Sequence, residues 1–560
     1  MTSECLGIEI WGRKLIMRKT VSLLLLLCLS LGLLAACTKT PDAAAPQPAK
    51  PADNTPALPK KDAIVYAQSV PITSLDTGGM QPQGYPAGYE AAFAIFNGLV
   101  KFDETLNFKP DLADKWTSEP DGLTWTFTLK QGVKFQDGTP FNADAVVGYY
   151  TKMLDKNYNT GAYTLWAPID KIVKVDDNTV KIVTKEPYGG LLNTLAHGSA
   201  LIPSPAALEK YGKDIGLHPV GTGPYVLDKI EPGTQVVVKA NDSYFGGKPA
   251  YKQITFKYVG DAAARIAALK SGQADVIDAV PVENAGDLQA SPNLELINKP
   301  GLQVFGIGLN QTNPILQDKA VRQAFNFAIQ KDAIIKALFK GFGTVLTSPL
   351  APNTTGYVKS GEYAYDAAKA KKMLEDAGWK AGADGVLAKD GKRMSFKLRT
   401  PEGMYPNDVL VAETIQNQLK AIGVEVKIDK VEKSTFWDGI KVPKAKVDFD
   451  MVMFGYNPSH GNGGIQLDAM FLTNPDEGKN PPQWNFNWYS NKNADQLIQN
   501  ANKQVDQAKR TELLGQAEKM IWDDAPYIWL YAKNNIVAKA KNVDGVTVLP
   551  VIFTLVHQTK

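Results

Sequence analysis

Histidine, cysteine and tryptophan are the side chains here with most chemical capacity, and their placement rules out more than it suggests. The histidines stand at 197, 218, 460 and 557, with no close pair on one helix. Neither His-Glu-x-x-His nor Gly-x-Ser-x-Gly occurs, so a zinc-protease helix and a nucleophile elbow are both missing. Spacing alone leaves open a triad assembled in space or a glycosidase-type pair of carboxylates, so a secreted hydrolase stays as a remote alternative. Cys5 and Cys28 lie before or within an apolar run, which leaves Cys37 as the single thiol beyond it. A disulfide framework, a thiolate zinc site and a cysteine nucleophile in the folded body are thereby excluded. Gly221-Thr222-Gly223 lacks the Lys-Ser/Thr of a phosphate loop, and Pro224 removes a backbone N–H, so a close chain crossing is the better reading. Trp484 and Trp488 beside Tyr489 are the best platform for a stacked sugar. No cofactor is implied.

The sole remaining thiol has a telling context. Arg13, Lys14, Arg18 and Lys19 precede an apolar run from Val21 to Leu34, and small residues Ala35-Ala36 lead into Cys37. Basic, apolar, then small is the layout of a secretory signal. The run falls short of the roughly twenty residues that span a bilayer. Leu34-Ala35-Ala36-Cys37 resembles the lipobox of bacterial lipoproteins, which implies a lipid on Cys37 and removal of residues 1–36, with Met1 or Met17 as the start. Residues 37–61 are rich in Pro and Ala, bury little, and read as a tether to the membrane. Residues 1–36 carry four bases and two acids, so the formal charge of +3 falls near +1 without them. Nucleic acid is not an expected partner.

The chain of 560 residues, 44% hydrophobic, exceeds what one core serves. Ile64–Ala67 reads as a buried strand and Glu90–Val100 as a helix. Leu123, Trp125, Phe127 and Leu129 alternate with Thr124, Thr126, Thr128 and Lys130, the pattern of a half-buried strand. Asn142 is placed to cap a helix over Ala143–Leu154. Further strands are expected at Ile172–Val175, Thr179–Thr184, Gln235–Lys239, Ile254–Tyr258 and Ala274–Ile277, with a helix Ala262–Ser271 stopped by Gly272. Apolar spacing predicts one helix over Asp318–Phe339, another from Asp366 to Ala377, one from Pro406 or Asn407 to Ile422, and a last from Glu512 to Trp522. Val546–Leu555 reads as strand and Gly461–Gly464 as a mobile loop. Mixed strands and helices without a fixed period indicate α/β lobes.

A forty-residue block holds Leu112-Ala113-Asp114-Lys115-Trp116, Asp121-Gly122, Gly132-Val133-Lys134-Phe135, Asp137-Gly138 and Ala143-Asp144-Ala145-Val146. With Gly221-Thr222-Gly223-Pro224-Tyr225, Gly247-Lys248-Pro249, Ala320-Val321-Arg322-Gln323-Ala324 and Ala377-Gly378-Trp379, it resembles the peptide/nickel family of extracytoplasmic solute-binding proteins, family 5, receptors of bacterial ABC importers. The resemblance implies a two-lobed α/β periplasmic-binding-protein fold with an extra domain, a hinge, and a ligand cleft between lobes. It places lobe I at 62–100, 221–305 and 536–560, the extra domain at 101–220, and lobe II at 306–535. It also implies a monomer without enzymatic activity that hands its ligand to permease subunits driven by a separate ATPase.

By the same resemblance the cleft is lined by Met80, Tyr85, Tyr163, Trp166, His197, Tyr456, Asn457, His460 and Asp468. Dipeptide-binding relatives hold the ligand's amino group with a late-loop Asp. This chain reads Phe454-Gly455-Tyr456-Asn457-Pro458-Ser459-His460 there, and Asp468 is the nearest acid. Nickel-binding relatives use arginines absent from 156–166 and 195–201 here, which leaves His197 and His460 as candidate metal ligands. A small peptide is the expected ligand, and a nickel or other metal chelate is the alternative.

Overall fold

The computed structural model describes residues 59–78, 86–159, 161–475 and 478–557. The signal, Cys37, most of the tether, Met80 and Tyr85 lie outside the described residues.

The strand Thr124–Leu129 links pattern to packing: Trp125, Phe127 and Leu129 are buried and the threonines between them half-buried. It belongs to a four-stranded antiparallel sheet ordered Ala113–Ser118, Thr124–Leu129, Thr179–Thr184, Ile169–Asp176. The helix Ala143–Met153 packs on this sheet, and its cap Asn142 accepts a hydrogen bond from the Ala145 N–H at 3.2 Å.

The main sheet has eleven strands. Two long antiparallel strands at its centre, Leu294–Leu309 and Tyr527–Ala540, pair from Leu294 opposite Ala540 to Gly308 opposite Tyr527. On one side of this pair stand Val276–Ile277, Ala63–Gln68, Gln253–Tyr258, Gln235–Ala240 and Tyr225–Glu231. On the other stand Met451–Tyr456, Ser395–Glu402 and Glu425–Glu432, and Gly343–Val345 pairs with Tyr527–Ala540. A register shift between Pro300 and Val304 interrupts the central pair, so the two halves share strands but not a continuous ladder. Each half carries its own buried apolar cluster, one around Tyr66, Ile254 and Phe256, the other around Phe325, Leu398 and Ile415.

Several expected elements differ. Asp318–Phe339 is two helices, Lys319–Ala328 and Lys331–Leu338: Ile329 is extended (φ −101°, ψ 120°) and the Gln330 N–H donates to Gln418 Oε1 at 2.8 Å. The helix expected over Glu90–Val100 spans Ala87–Ile95, since Phe96 turns extended (φ −117°) and Val100 opens a short strand. Val546–Leu555 is a small hairpin of Thr547–Val548 and Thr554–Leu555, with Ile552 at φ 79° in the turn. Gly463 and Gly464 of the expected loop open a helix instead. Asn462 accepts from the N–H groups of Gly464 (3.0 Å) and Ile465 (3.3 Å) and caps the helix Gly463–Phe471. At Gly221 a Cβ would stand 2.2 Å from the Ile95 carbonyl oxygen, so this glycine permits a close chain crossing and cradles no phosphate. No helix among the described residues is long and apolar enough to cross a membrane.

Candidate functional site

A cavity of about 1060 Å³ opens between residues 161–197 on one wall and residues 403–502 on the other. This is the upper end of the range for small-molecule sites, roughly 300–1,000 Å³.

The second wall grows from the strand Met451–Tyr456. Tyr456 ends it, Asn457, Ser459 and His460 follow, and the helix capped by Asn462 presents Ile465, Asp468 and Ala469. Trp484 stands at the centre of an aromatic group here. Its ring meets Tyr456 edge-on at 5.3 Å and Trp437 at 5.5 Å, and Lys441 Nζ lies 5.0 Å above it. Exposed Lys433 and half-buried Tyr405 line the same cavity. Burial pushes the Asp468 carboxyl up to about 6, against the opposing pull of an Asn502 amide 3.4 Å away. Asp468 therefore offers a carboxylate at neutral pH and loses it in mild acid.

The first wall is plainer. Gly161, Ala162, Thr164, Leu165 and Pro168 contribute small or aliphatic groups, with Tyr188 and His197 beyond them. His197 follows the helix Leu191–Ala196. Burial pulls its imidazole down to about 4, and pulls His460 to about 3 with help from His197 and Arg510 nearby. Both rings are neutral at physiological pH.

His197, Tyr456, Asn457, His460 and Asp468 thus come together around one cavity. Trp166 does not join them, a correction to the expectation. It is fully buried, its Nε1–H donates to Ser199 Oγ at 3.1 Å, and its ring packs 4.9 Å from Tyr150. The one-turn helix Tyr163–Trp166 turns Thr164 and Leu165 to the cleft, and Tyr163 is not among the lining residues. The sugar-platform trio is also split: Trp484 lines the cavity, whereas Trp488 and Tyr489 are buried and Tyr489 donates to Asp524 Oδ2 at 2.8 Å. Trp437, Tyr405, Lys433 and Asn502 were not anticipated, because only the tertiary fold brings them to the late strand. Among the described residues no group of three or more His, Cys, Asp or Glu could hold a metal ion.

A two-lobed sheet on shared central strands with a ligand-sized cleft defines a solute-binding protein. The profile of the bacterial extracellular solute-binding proteins, family 5 (middle region), matches residues 107–478. The glutathione-binding protein GsiB of Salmonella typhimurium is 34% identical over 502 residues, 88% of this chain and 93% of that protein. The structure of HbpA2 from Haemophilus parasuis matches with a TM-score of 0.78 at 27% identity, over 88% of this chain and 99% of that one. A nickel ABC transporter protein from Bacillus halodurans matches with a TM-score of 0.75 at 26% identity, over 88% and 99%. The chain belongs to the family 5 extracellular solute-binding proteins. It is an extracytoplasmic binding protein of an ABC importer, a transport receptor and not an enzyme.

Proposed function

We propose that this receptor captures a short peptide, of dipeptide to oligopeptide size, in the cleft and delivers it as a monomer to its permease. The supporting observation is the make-up of the cavity: a carboxylate at Asp468, a cation at Lys433, and aromatic groups from Tyr456, Trp437 and Trp484 line the same space. An amine, a carboxylate and an apolar body are what a short peptide offers such a surface. Glutathione, bound by the relative named above, is a tripeptide and carries the same groups. In this reading lobe I is 62–100, 221–305 and 536–560, lobe II is 306–535, and 101–220 is the extra domain. Residues 1–36 direct export, and lipid on Cys37 with the tether 37–61 holds the receptor at the membrane.

A thermal-shift series tests the ligand class. Glutathione and di- to tetrapeptides should raise Tm by mass action, worth about 2.7 kcal/mol at a hundredfold excess over Kd. Stabilisation by nickel–histidine with no response to any peptide would overturn the reading in favour of a chelate. Anchoring is separate: labelled palmitate should enter the wild type, and Cys37→Ser should release the protein from membranes unlabelled.

A further inference from the structure

His197 and His460 approach the cavity from opposite walls and share one local device. In each, the backbone N–H two residues on donates to the ring Nδ1: Ser199 to His197 at 3.2 Å, and Asn462 to His460 at 3.1 Å. An N–H can only donate, so Nδ1 must accept, and in a neutral imidazole the proton then sits on Nε2. For His197 the Ser199 hydroxyl also lies 3.0 Å from Nδ1 and, as a rotatable donor, is compatible with the same tautomer. Both rings therefore carry an N–H on the nitrogen not tied to the turn, and no protein acceptor among the described residues meets either Nε2.

Charge supplies the second half of the argument. Arg510 is 1% exposed, donates to Asn462 Oδ1 at 2.5 Å, and forms no ion pair among the described residues. Asp468, the acid on the same wall, is engaged by Asn502 instead. Its charge lies near enough to His460 to pull that imidazole towards neutrality, and it favours an anion over a cation beside this ring.

We infer that His197 and His460 act as a paired Nε2–H donor for a carboxylate of the ligand, with Arg510 as a positioning residue behind them, and that neither is a metal ligand. Coordination through Nε2 needs its lone pair. Freeing it moves the proton to Nδ1 and sets N–H against N–H at Ser199 and Asn462. This inference rests on the peptide reading and assigns the end of the ligand that this side of the cleft takes.

The test combines a spectrum with a binding ratio on the purified protein. With 15N-histidine label, both rings should show the neutral Nε2–H tautomer at pH 7, and nickel–histidine should not broaden them selectively. Glutathione should bind roughly tenfold or more tighter than its glycine amide. His197→Ala and His460→Ala should each weaken the free acid about tenfold and largely erase that ratio, while His460→Gln, which keeps an N–H donor, restores part of it. An Nδ1–H tautomer, selective nickel broadening, or an acid-to-amide ratio unchanged in the alanine variants overturns the donor pair alone. Failure of every peptide to bind the wild type sinks the peptide reading and the donor pair with it.

Discussion

The two walls of the cleft enclose the same space with opposite chemistry. The wall from residues 403–502 concentrates aromatic rings and charge in Tyr405, Lys433, Trp437, Tyr456, Asp468 and Trp484. The wall from 161–197 offers Gly161, Ala162, Thr164, Leu165 and Pro168, with Tyr188 and His197 beyond them and no acidic or lysine side chain. The difference divides the labour: the second wall carries most of the recognition, and the first, apart from His197, covers. A binding protein needs both, because closure is driven only by contacts better in the closed state than in the open one. His197 and the Tyr188 hydroxyl are the polar exceptions on the covering wall.

The comparison breaks most readily at Trp484. The ring touches Tyr456 and Trp437 edge-on, so removing it deletes ligand contact and loosens its neighbours together. Trp484→Ala should weaken peptide binding by about 2 kcal/mol, roughly thirtyfold in Kd, by calorimetry. Because the ring also packs on Tyr456, Trp437 and Phe486, the Tm of the free protein should fall by a few degrees as well. A Kd within threefold of wild type would remove the basis for calling this the recognising wall.

Asp468 sharpens the comparison with a pH signature. Its carboxyl sits near 6, raised by burial, so it is charged above that pH and neutral below. Affinity for a peptide with a free amino group should therefore fall as pH drops through about 6, with no such fall for an N-acetylated peptide. The sign for stability is the reverse. A raised carboxyl favours the folded state when protonated, so its contribution without ligand is fullest in acid and is lost as pH rises through about 6. Asp468→Asn should cost the free-amine peptide about tenfold and flatten both profiles. An unaltered pH profile in that variant would mean that another group holds the amine.

The covering wall and the recognising wall also differ in how far the sequence exposed them. Alternation at Leu123–Leu129, the Asn142 cap and the Gly272 stop are local signals, and each matches an observed element. The central strands Leu294–Leu309 and Tyr527–Ala540 were missed. They carry Glu295, Asn298, Lys299, Lys533, Asn534 and Asn535 where they cross between sheet halves, and this breaks any alternation a window could detect. Asp468 was found by its type alone, but its place in the cleft follows from Asn462 capping a helix where glycines had suggested a loop. Trp166 misled for the converse reason: an aromatic residue is as useful to a core as to a cleft, and only Tyr150 and Ser199 decide between them.

The smallest expected effect tests the covering role most directly. Thr164 is exposed on a one-turn helix, and its side chain has no hydrogen-bond partner among the described residues. Thr164→Ala removes a methyl and a hydroxyl from a surface that, in this account, only excludes water, so Kd should move by no more than about twofold. Thr164→Trp adds bulk to the lining of the cleft and should weaken binding about tenfold by opposing closure, with little change in the Tm of the free protein. The two substitutions separate contact from cover, since a recognising residue suffers from truncation as much as from enlargement. Equal losses in both variants would give Thr164 a direct hydrogen bond to the ligand. The asymmetry of the walls would then lie in residue type alone, with the work of recognition shared between them.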